Sequence, residues 1–399
     1  MSEVFTAAKI AGINLNNRII RSATHEGLGD ESGRPTEASI KKYEQLANGG
    51  VGAIITGYAG IMPNGKAPGH NMLMIDTNDK IAAFEEMVKR IHALETPIIL
   101  QIAHCGRQTR SKITGYPTVA PSPIKDGMYN EERPHALSEN EIEDIIRHFV
   151  AAVERGKMAG FDGVELHLAH GYLLSSFLSP HMNKRNDRWG KTTENRFRIV
   201  REILIQSRQR VGDYPILAKI NGFEKSGDGM TIAEAIKIAQ LLEEVGCDGI
   251  EVSSGIVEDG FWFARGDFPY EMIDRDNYFR LKQIPGFLRP LIKPVLKRRL
   301  ESPQPYSLYN LDSAEKIKKA VGIPVIVVGG IRKLEEIKDI IENDRCDFVS
   351  MARPFIIEPD IVNKFRVGQQ QESKCINCNF CVIGIDARPL KCYYGKFLK

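Results

Sequence analysis

Two imidazoles and a phenol fall within one short segment, His167-Leu168-Ala169-His170-Gly171-Tyr172. Two neutral imidazole N–H groups can hold a carbonyl oxygen and stabilise negative charge that develops on it. A tyrosine with its ordinary pKa of about 10 keeps its proton at neutral pH and can donate it to a carbanion-like centre. The His-x-x-His spacing also suits a metal ion, although no third ligand follows on the same segment. Gly329-Gly330-Ile331-Arg332 and Ala352-Arg353-Pro354 offer a second chemistry. Paired glycines let backbone N–H groups approach an anion and an arginine fork can grip it, which suits phosphate; a plain turn is the bland alternative. Gln101 and Lys219 sit late in apolar runs, where a buried polar group needs a partner. For Lys219 that partner is either a structural carboxylate or an electron-rich ring.

A third set lies near the end of the sequence. Cys375, Cys378 and Cys381 are closely spaced, and Cys392 follows Cys381 after ten intervening residues. This is a ligand set for a [4Fe–4S] cluster or for zinc, and a remnant without metal is the third alternative. Seven cysteines in 399 residues are too few for a disulfide scaffold, and their crowding into the tail points to a reducing, cytoplasmic compartment. Cys105, Cys247 and Cys346 lie in or beside apolar runs and read as packing residues.

The elements that must position these residues are legible as eight apolar runs, at 18–22, 52–58, 97–103, 163–169, 215–221, 249–254, 324–330 and 348–353. They are near-continuous, as expected for parallel strands covered by helices. The segments between them have helical period. Ser138 and Glu141 form a capping box ahead of Ile142, Ile145, Ile146, Phe149, Val150 and Val153, one apolar face. Thr231 with Glu234 and Asp312 with Glu315 repeat that N-terminal chemistry. Eightfold strand–helix alternation predicts an α/β fold, a (β/α)8 TIM barrel over residues 1–370, followed by a short cysteine-rich tail at 371–399. Long loops at 105–137 and 255–311 follow strands 3 and 6, so they belong to the catalytic face, as do the ends of strands 4, 7 and 8. Residues 282–302 carry Leu288, Leu291, Ile292, Val295 and Leu296 at helical spacing beside Lys297-Arg298-Arg299. Pro290 and Pro294 break a long regular helix there, and the stretch reads as a lid packed on the barrel with a solvated basic edge.

Composition removes several classes. Hydrophobic residues make up 42% and charged residues 26%, an ordinary folded profile. A net charge of +3 leaves no nucleic-acid footprint. No apolar run nears the ~18 residues of a membrane span, and the opening MSEVFTAAKIAG has no signal-peptide core.

The string AGFDGVELHLAHGYLLSSFLSPHMNKRNDRWG at 159–190, then Glu194-Asn195-Arg196, with QIAHCGRQ at 101–108 and VVGGI at 327–331, resembles the old yellow enzyme family of flavin-dependent ene-reductases. The resemblance runs from Asn17-Arg18 to at least Pro359. It implies non-covalent FMN at the barrel mouth, with NAD(P)H as reductant. By the same resemblance, Ala23, Thr24, His25 and Tyr58 line the flavin, Gln101 bonds its pyrimidine ring, and Lys219 stands near N1 and C2=O. Gly329, Gly330, Ala352 and Arg353 hold the phosphate. His167 and His170 grip a substrate carbonyl, Tyr172 is the proton donor, and Arg107, Arg332 and Trp262 lie on the substrate side. The implied substrate is a small α,β-unsaturated carbonyl compound. The tail resembles the iron–sulfur flavoproteins such as 2,4-dienoyl-CoA reductase and trimethylamine dehydrogenase, which implies a second reading: an FMN and iron–sulfur subunit passing electrons to a partner protein. A homo-oligomer is compatible with either.

Overall fold

The computed structural model describes residues 2–69, 71–127, 132–275, 284–385 and 388–395. Eight parallel strands form its centre: β1 (Ile19–Arg21), β2 (Ala53–Ile55), β3 (Ile98–Ala103), β4 (Gly163–Leu168), β5 (Ile216–Asn221), β6 (Gly249–Ser253), β7 (Val325–Val328) and β8 (Phe348–Met351). Each pairs with its sequence neighbours, and β8 pairs with β1, so the sheet closes on itself as a barrel. The helices α1 (Glu37–Asn48), α2 (Ile81–His92), α3 (Glu139–Met158), α4 (Thr193–Val211), α5 (Ile232–Glu244), α6 (Leu311–Lys318), α7 (Leu334–Glu342) and α8 (Ile361–Arg366) follow the strands in turn.

The strand sequences explain the closure. On each strand alternate residues point outward into the helix layer, as Ile98, Leu100 and Ile102 do on β3 and Val164, Leu166 and Leu168 on β4. The residues between them point into the barrel. At its N-terminal end those inward residues are apolar: Ile20, Ala53, Ile55, Ile99, Leu217, Ile326 and Phe348. An antiparallel hairpin, Ala8–Ile10 with Ile13–Leu15, plugs that end by packing Ile10, Ile13 and Leu15 on them. The opposite, C-terminal end is left for the loops.

The Ser138–Glu141 capping box forms as expected, and its whole predicted apolar face on α3 is buried. Thr231 and Glu234 cap α5 in the same way. The third box does not form. Asn310 precedes α6 and spends its side-chain amide on the Val328 carbonyl at 2.5 Å, while Asp312 lies within the first turn and pairs with Lys316 at 2.8 Å.

Within 282–302, of which 282 and 283 lie outside the described residues, the expectation that the prolines break the helix needs correction. Pro290 occupies the first turn and Pro294 the interior of one helix, Arg289–Leu300. Its buried or half-buried side is Ile292, Leu296 and Leu300, four residues apart, whereas Leu291 and Val295 point outward with Phe287. Among the described residues no helix is long and apolar enough to cross a membrane.

Candidate active site

A cavity of about 270 Å³ opens at the C-terminal end of the barrel. Its walls include all of the residues that sequence reading placed there on strand ends 1 to 8: Ala23, Thr24, His25, Tyr58, Gln101, His167, His170, Tyr172, Lys219, Gly329, Gly330, Arg332, Ala352 and Arg353. Phe261, Phe263 and Tyr309 add an apolar side.

His170 sits in the left-handed region, φ 64°, an unfavourable conformation for a side chain of its size. Neighbouring elements hold it there. Its N–H donates to the Asn221 side-chain oxygen at 3.2 Å, and its carbonyl accepts from Gln108 Nε2 at 2.7 Å and from the Val257 N–H at 3.2 Å. The turn throws both imidazoles to the same side, edge to face with ring centres 5.1 Å apart. His167 Nδ1 accepts from the Ala169 N–H at 3.4 Å, which leaves Nε2 as the protonated nitrogen. His170 Nε2 lies 2.8 Å from Ser253 Oγ. Burial, then the neighbouring His170 and Lys219, push the His167 pKa far below the ordinary imidazole value. Burial and Lys219 push that of His170 down to about 3. Both rings are therefore neutral donors at neutral pH. The Tyr172 ring packs edge-on to His167 at 4.8 Å, and its hydroxyl donates to the Tyr58 hydroxyl at 3.1 Å.

Gly329 and Gly330 close the far side. Their φ values are 150° and 72°, and a Cβ on Gly330 would stand 2.0 Å from the Tyr306 carbonyl oxygen. Backbone approaches backbone here as only glycine permits. Arg353 donates to Asn379 Oδ1 at 2.7 Å, and Arg332 to the Cys375 carbonyl at 2.6 Å. The cysteine-rich tail thus holds two of the cavity's arginines, and Asn377, Cys381, Val382, Ile383 and Leu390 themselves line the cavity. Sequence reading gave the tail no part in this wall.

Two residues expected on the substrate side stand off the cavity. Trp262 turns away between its lining neighbours Phe261 and Phe263 and packs edge-on to Phe223 at 6.0 Å, with Arg265 over its ring at 4.9 Å. Arg107 is buried under the rim, where it donates to the Ile124 and Lys125 carbonyls and to Glu258 at 2.7 Å. Glu258 also faces His181, which pairs with Asp228 at 2.7 Å. This chain of charges ties together the loops after β3, β4, β5 and β6. Glu258 and Asp228 lift the His181 pKa to about 9. A raised folded-state value means the histidine's stabilising contribution is complete below its ordinary 6.5 and lost as pH rises through about 9. Hydrogen exchange in residues 255–265 should therefore quicken between pH 7 and 9.5 beyond the intrinsic chemical rate, with β3 to β5 unaffected. His181→Gln should remove that extra increase; an unchanged profile would disconnect the histidine from the rim.

Cys375, Cys378, Cys381 and Cys392 line one small second cavity, which shares Arg353, Ile356 and Cys381 with the first. Among the described residues no three His, Cys, Asp or Glu side chains converge closely enough to hold a metal ion. Cys105, Cys247 and Cys346 are buried, as packing residues should be.

Residues 3–261 and 290–372 match the model of the NADH:flavin oxidoreductase / NADH oxidase family. The chain is 37% identical over 385 residues to an NADH oxidase of Thermoanaerobacter brockii, an alignment covering 96% of this chain and 53% of that protein. It therefore spans about half the length of that relative. It is 32% identical over 359 residues to an NADPH dehydrogenase of Halalkalibacterium halodurans, covering 90% and 92% of the two chains. An old yellow enzyme homologue from Zymomonas mobilis superposes with a TM-score of 0.72 at 21% identity over 94% of this chain and 96% of its own, a likeness of fold.

Proposed function

Because the chain belongs to the NADH:flavin oxidoreductase / NADH oxidase family, we propose that it is a flavin-dependent NAD(P)H oxidoreductase that reduces the activated C=C bond of α,β-unsaturated carbonyl compounds. One observation carries the reading: two neutral imidazoles and a tyrosine converge on a cavity that also has Lys219 and Gln101 on its barrel side and a Gly329-Gly330-Arg353 cradle. That donor set fits FMN, with the amide and ammonium suited to a pyrimidine edge and the cradle to a phosphate. Bound there, FMN supplies hydride transfer.

The protein's own part follows from the geometry. The Nε2–H of His167 and an N–H of His170 hold the substrate carbonyl oxygen and draw charge onto it, which makes the β carbon electrophilic. Tyr172 gives its hydroxyl proton to the α carbon, and the Tyr58 hydroxyl beside it is positioned to return one. Phe261, Phe263 and Tyr309 exclude water from the substrate side. The test is a visible spectrum and an anaerobic turnover cycle. Purified protein should be yellow, bleach with NADH or NADPH, and recover its colour on adding a cyclic enone. A colourless protein that takes up no FMN would end this reading. His167→Ala should weaken binding of a phenolate that mimics the substrate enolate roughly tenfold, the worth of one charge-assisted hydrogen bond, as measured by loss of long-wavelength colour; undiminished affinity would remove the imidazole from the carbonyl site.

The tail supports a second reading, an electron-transfer role with a four-thiolate iron–sulfur cluster. Its observation is the shared wall between the cysteine cavity and the main one at Arg353, Ile356 and Cys381. The donor chemistry fits a cluster, although the side chains as folded do not close on an ion. Iron and acid-labile sulfide on anaerobically purified protein decide it: about four iron per chain, lost in Cys378→Ala with FMN retained, supports it. Zinc or no metal leaves the chain an ene-reductase with a cysteine-rich wall.

A further inference from the structure

At and below the cavity floor the barrel interior holds two acids and one base: Lys219 reaches the floor, and both acids are sealed beneath it. Glu165 and Glu251 are 0% exposed and Lys219 is 2% exposed. They lie side by side on adjacent strands: β5 pairs Lys219 with Glu251, and β3 pairs Gln101 with Glu165. Lys219 Nζ is 2.7 Å from Glu251 Oε2 and donates to Ser22 Oγ at 3.1 Å. Ser350 Oγ donates to the other Glu251 oxygen at 2.5 Å. Gln101 Nε2 donates to Glu165 Oε1 at 2.5 Å.

The count leaves one negative charge too many for a sealed site, and a lone buried charge is costly. The hydrogen bonds say where it is cancelled. Glu165 Oε2 is buried and meets no donor. Its neighbour is the Glu251 carboxyl, itself only an acceptor. Two carboxylates cannot satisfy one another, whereas a carboxylic acid and a carboxylate can. Burial, then the Glu251 charge, raise the Glu165 pKa well above the usual carboxylate range. Burial would raise that of Glu251 too, but Lys219 and the serine donors hold it down.

We infer that Glu165 and Glu251 keep one proton and one negative charge between them, and that this shared charge balances Lys219 and positions it at the cavity floor. Neither acid touches the cavity; both are positioning residues that act through Gln101 and Lys219, which do. Because the charge is shared, either acid alone can serve. In Glu251→Gln the remaining Glu165 gives up its proton and becomes the counter-ion. In Glu165→Gln, Glu251 already fills that role. Only the double variant leaves Lys219 unbalanced.

The first test needs no cofactor. Infrared difference spectra of the apoprotein at neutral pH, with glutamate isotopically labelled, should contain one protonated-carboxyl C=O band from the core. Glu165→Gln should abolish it, and so should Glu251→Gln, although the acid removed there is not the one that carries the proton. Wild-type protein without the band, or a band that survives Glu251→Gln, overturns the inference. The second test rests on the FMN reading above. The ratio of oxidised to reduced FMN dissociation constants should move less than about threefold in each single variant. In the double variant it should favour reduced FMN by roughly 30-fold, the effect of one unbalanced charge several ångströms away. Additive shifts, or none, overturn the inference. Failure to bind FMN at all would end the functional reading while the infrared result still decides the charge sharing, and the two single variants suffice should the double variant not fold.

Discussion

Replacing Tyr172 by phenylalanine is expected to leave bleaching by NAD(P)H near its wild-type rate and to slow reoxidation by an enone by about 10²–10⁴-fold, the usual worth of a positioned acid. The substitution removes one hydroxyl. The ring stays wedged edge-on against His167 and at 5.3 Å from Tyr58, so neither the imidazole pair nor the cavity shape loses its support. The backbone is also secure, because the Tyr172 N–H and the helix Leu173–Leu178 behind it do not depend on the hydroxyl. The two half-reactions separate the roles. Hydride delivery to the flavin needs no proton from the tyrosine, whereas saturation of the α carbon does. Stopped-flow absorbance under anaerobic conditions reads both rates on one sample. Equal slowing of the two would make Tyr172 a wall of the flavin site instead of the proton source. Tyr58→Phe should have a smaller effect in the same direction, since the hydroxyl it removes only backs the donor.

Gly330→Ala is expected to weaken FMN binding by about 10²-fold or more, with a barrel that still folds. The added methyl meets two penalties at once. A residue other than glycine at a φ of 72° costs about 1–2 kcal/mol. The Cβ would also lie 2.0 Å from the Tyr306 oxygen and 3.0 Å from the Ser307 Cα, both backbone, so the cradle itself must move. Displacing it by even 1 Å takes N–H groups out of hydrogen-bond range of a phosphate. Gly368 provides the control: its φ is also 72°, but nothing lies within 4 Å of its Cβ position. Gly368→Ala should lower the melting temperature by a few degrees and leave FMN affinity alone. Flavin fluorescence on titrating apoprotein measures both variants. Equal affinities for FMN would move the phosphate site away from β7.

Much of this architecture was legible in the order of residues. Eight β-branched runs separated by capped helices specify a parallel barrel, because strands covered on both faces must be apolar throughout and crossovers must be helical. The barrel in turn puts strand ends at one mouth, which is why His167, His170, Tyr172, Lys219 and the paired glycines could be gathered from positions up to 163 residues apart. The neutrality and tautomers of the two imidazoles and the strained turn at His170 were not legible, since these depend on burial, on an acceptor from β5 and on donors from two distant loops. One signal was present and unread. Glu165 and His167, Lys219 and Asn221, Glu251 and Ser253 each stand two residues apart, which marks an inward polar face at strand period.

Other features belong to the tertiary structure alone. Arg107 and Trp262 sit beside cavity-lining segments in the sequence, yet the folded chain turns one into a loop tether and the other into an aromatic stack. Local spacing fixes neither, because side-chain direction in an irregular loop follows what it packs on. The tail is the clearest case: its four cysteines announced a ligand set, but its place as a wall of the main cavity arises from contacts of Arg332 and Arg353 across more than 20 residues. The sequence therefore determined which strands and which chemical groups this protein has. The tertiary structure decided which of those groups are dry, which share a charge and which never reach the site, because desolvation and hydrogen-bond partners are properties of neighbours in space.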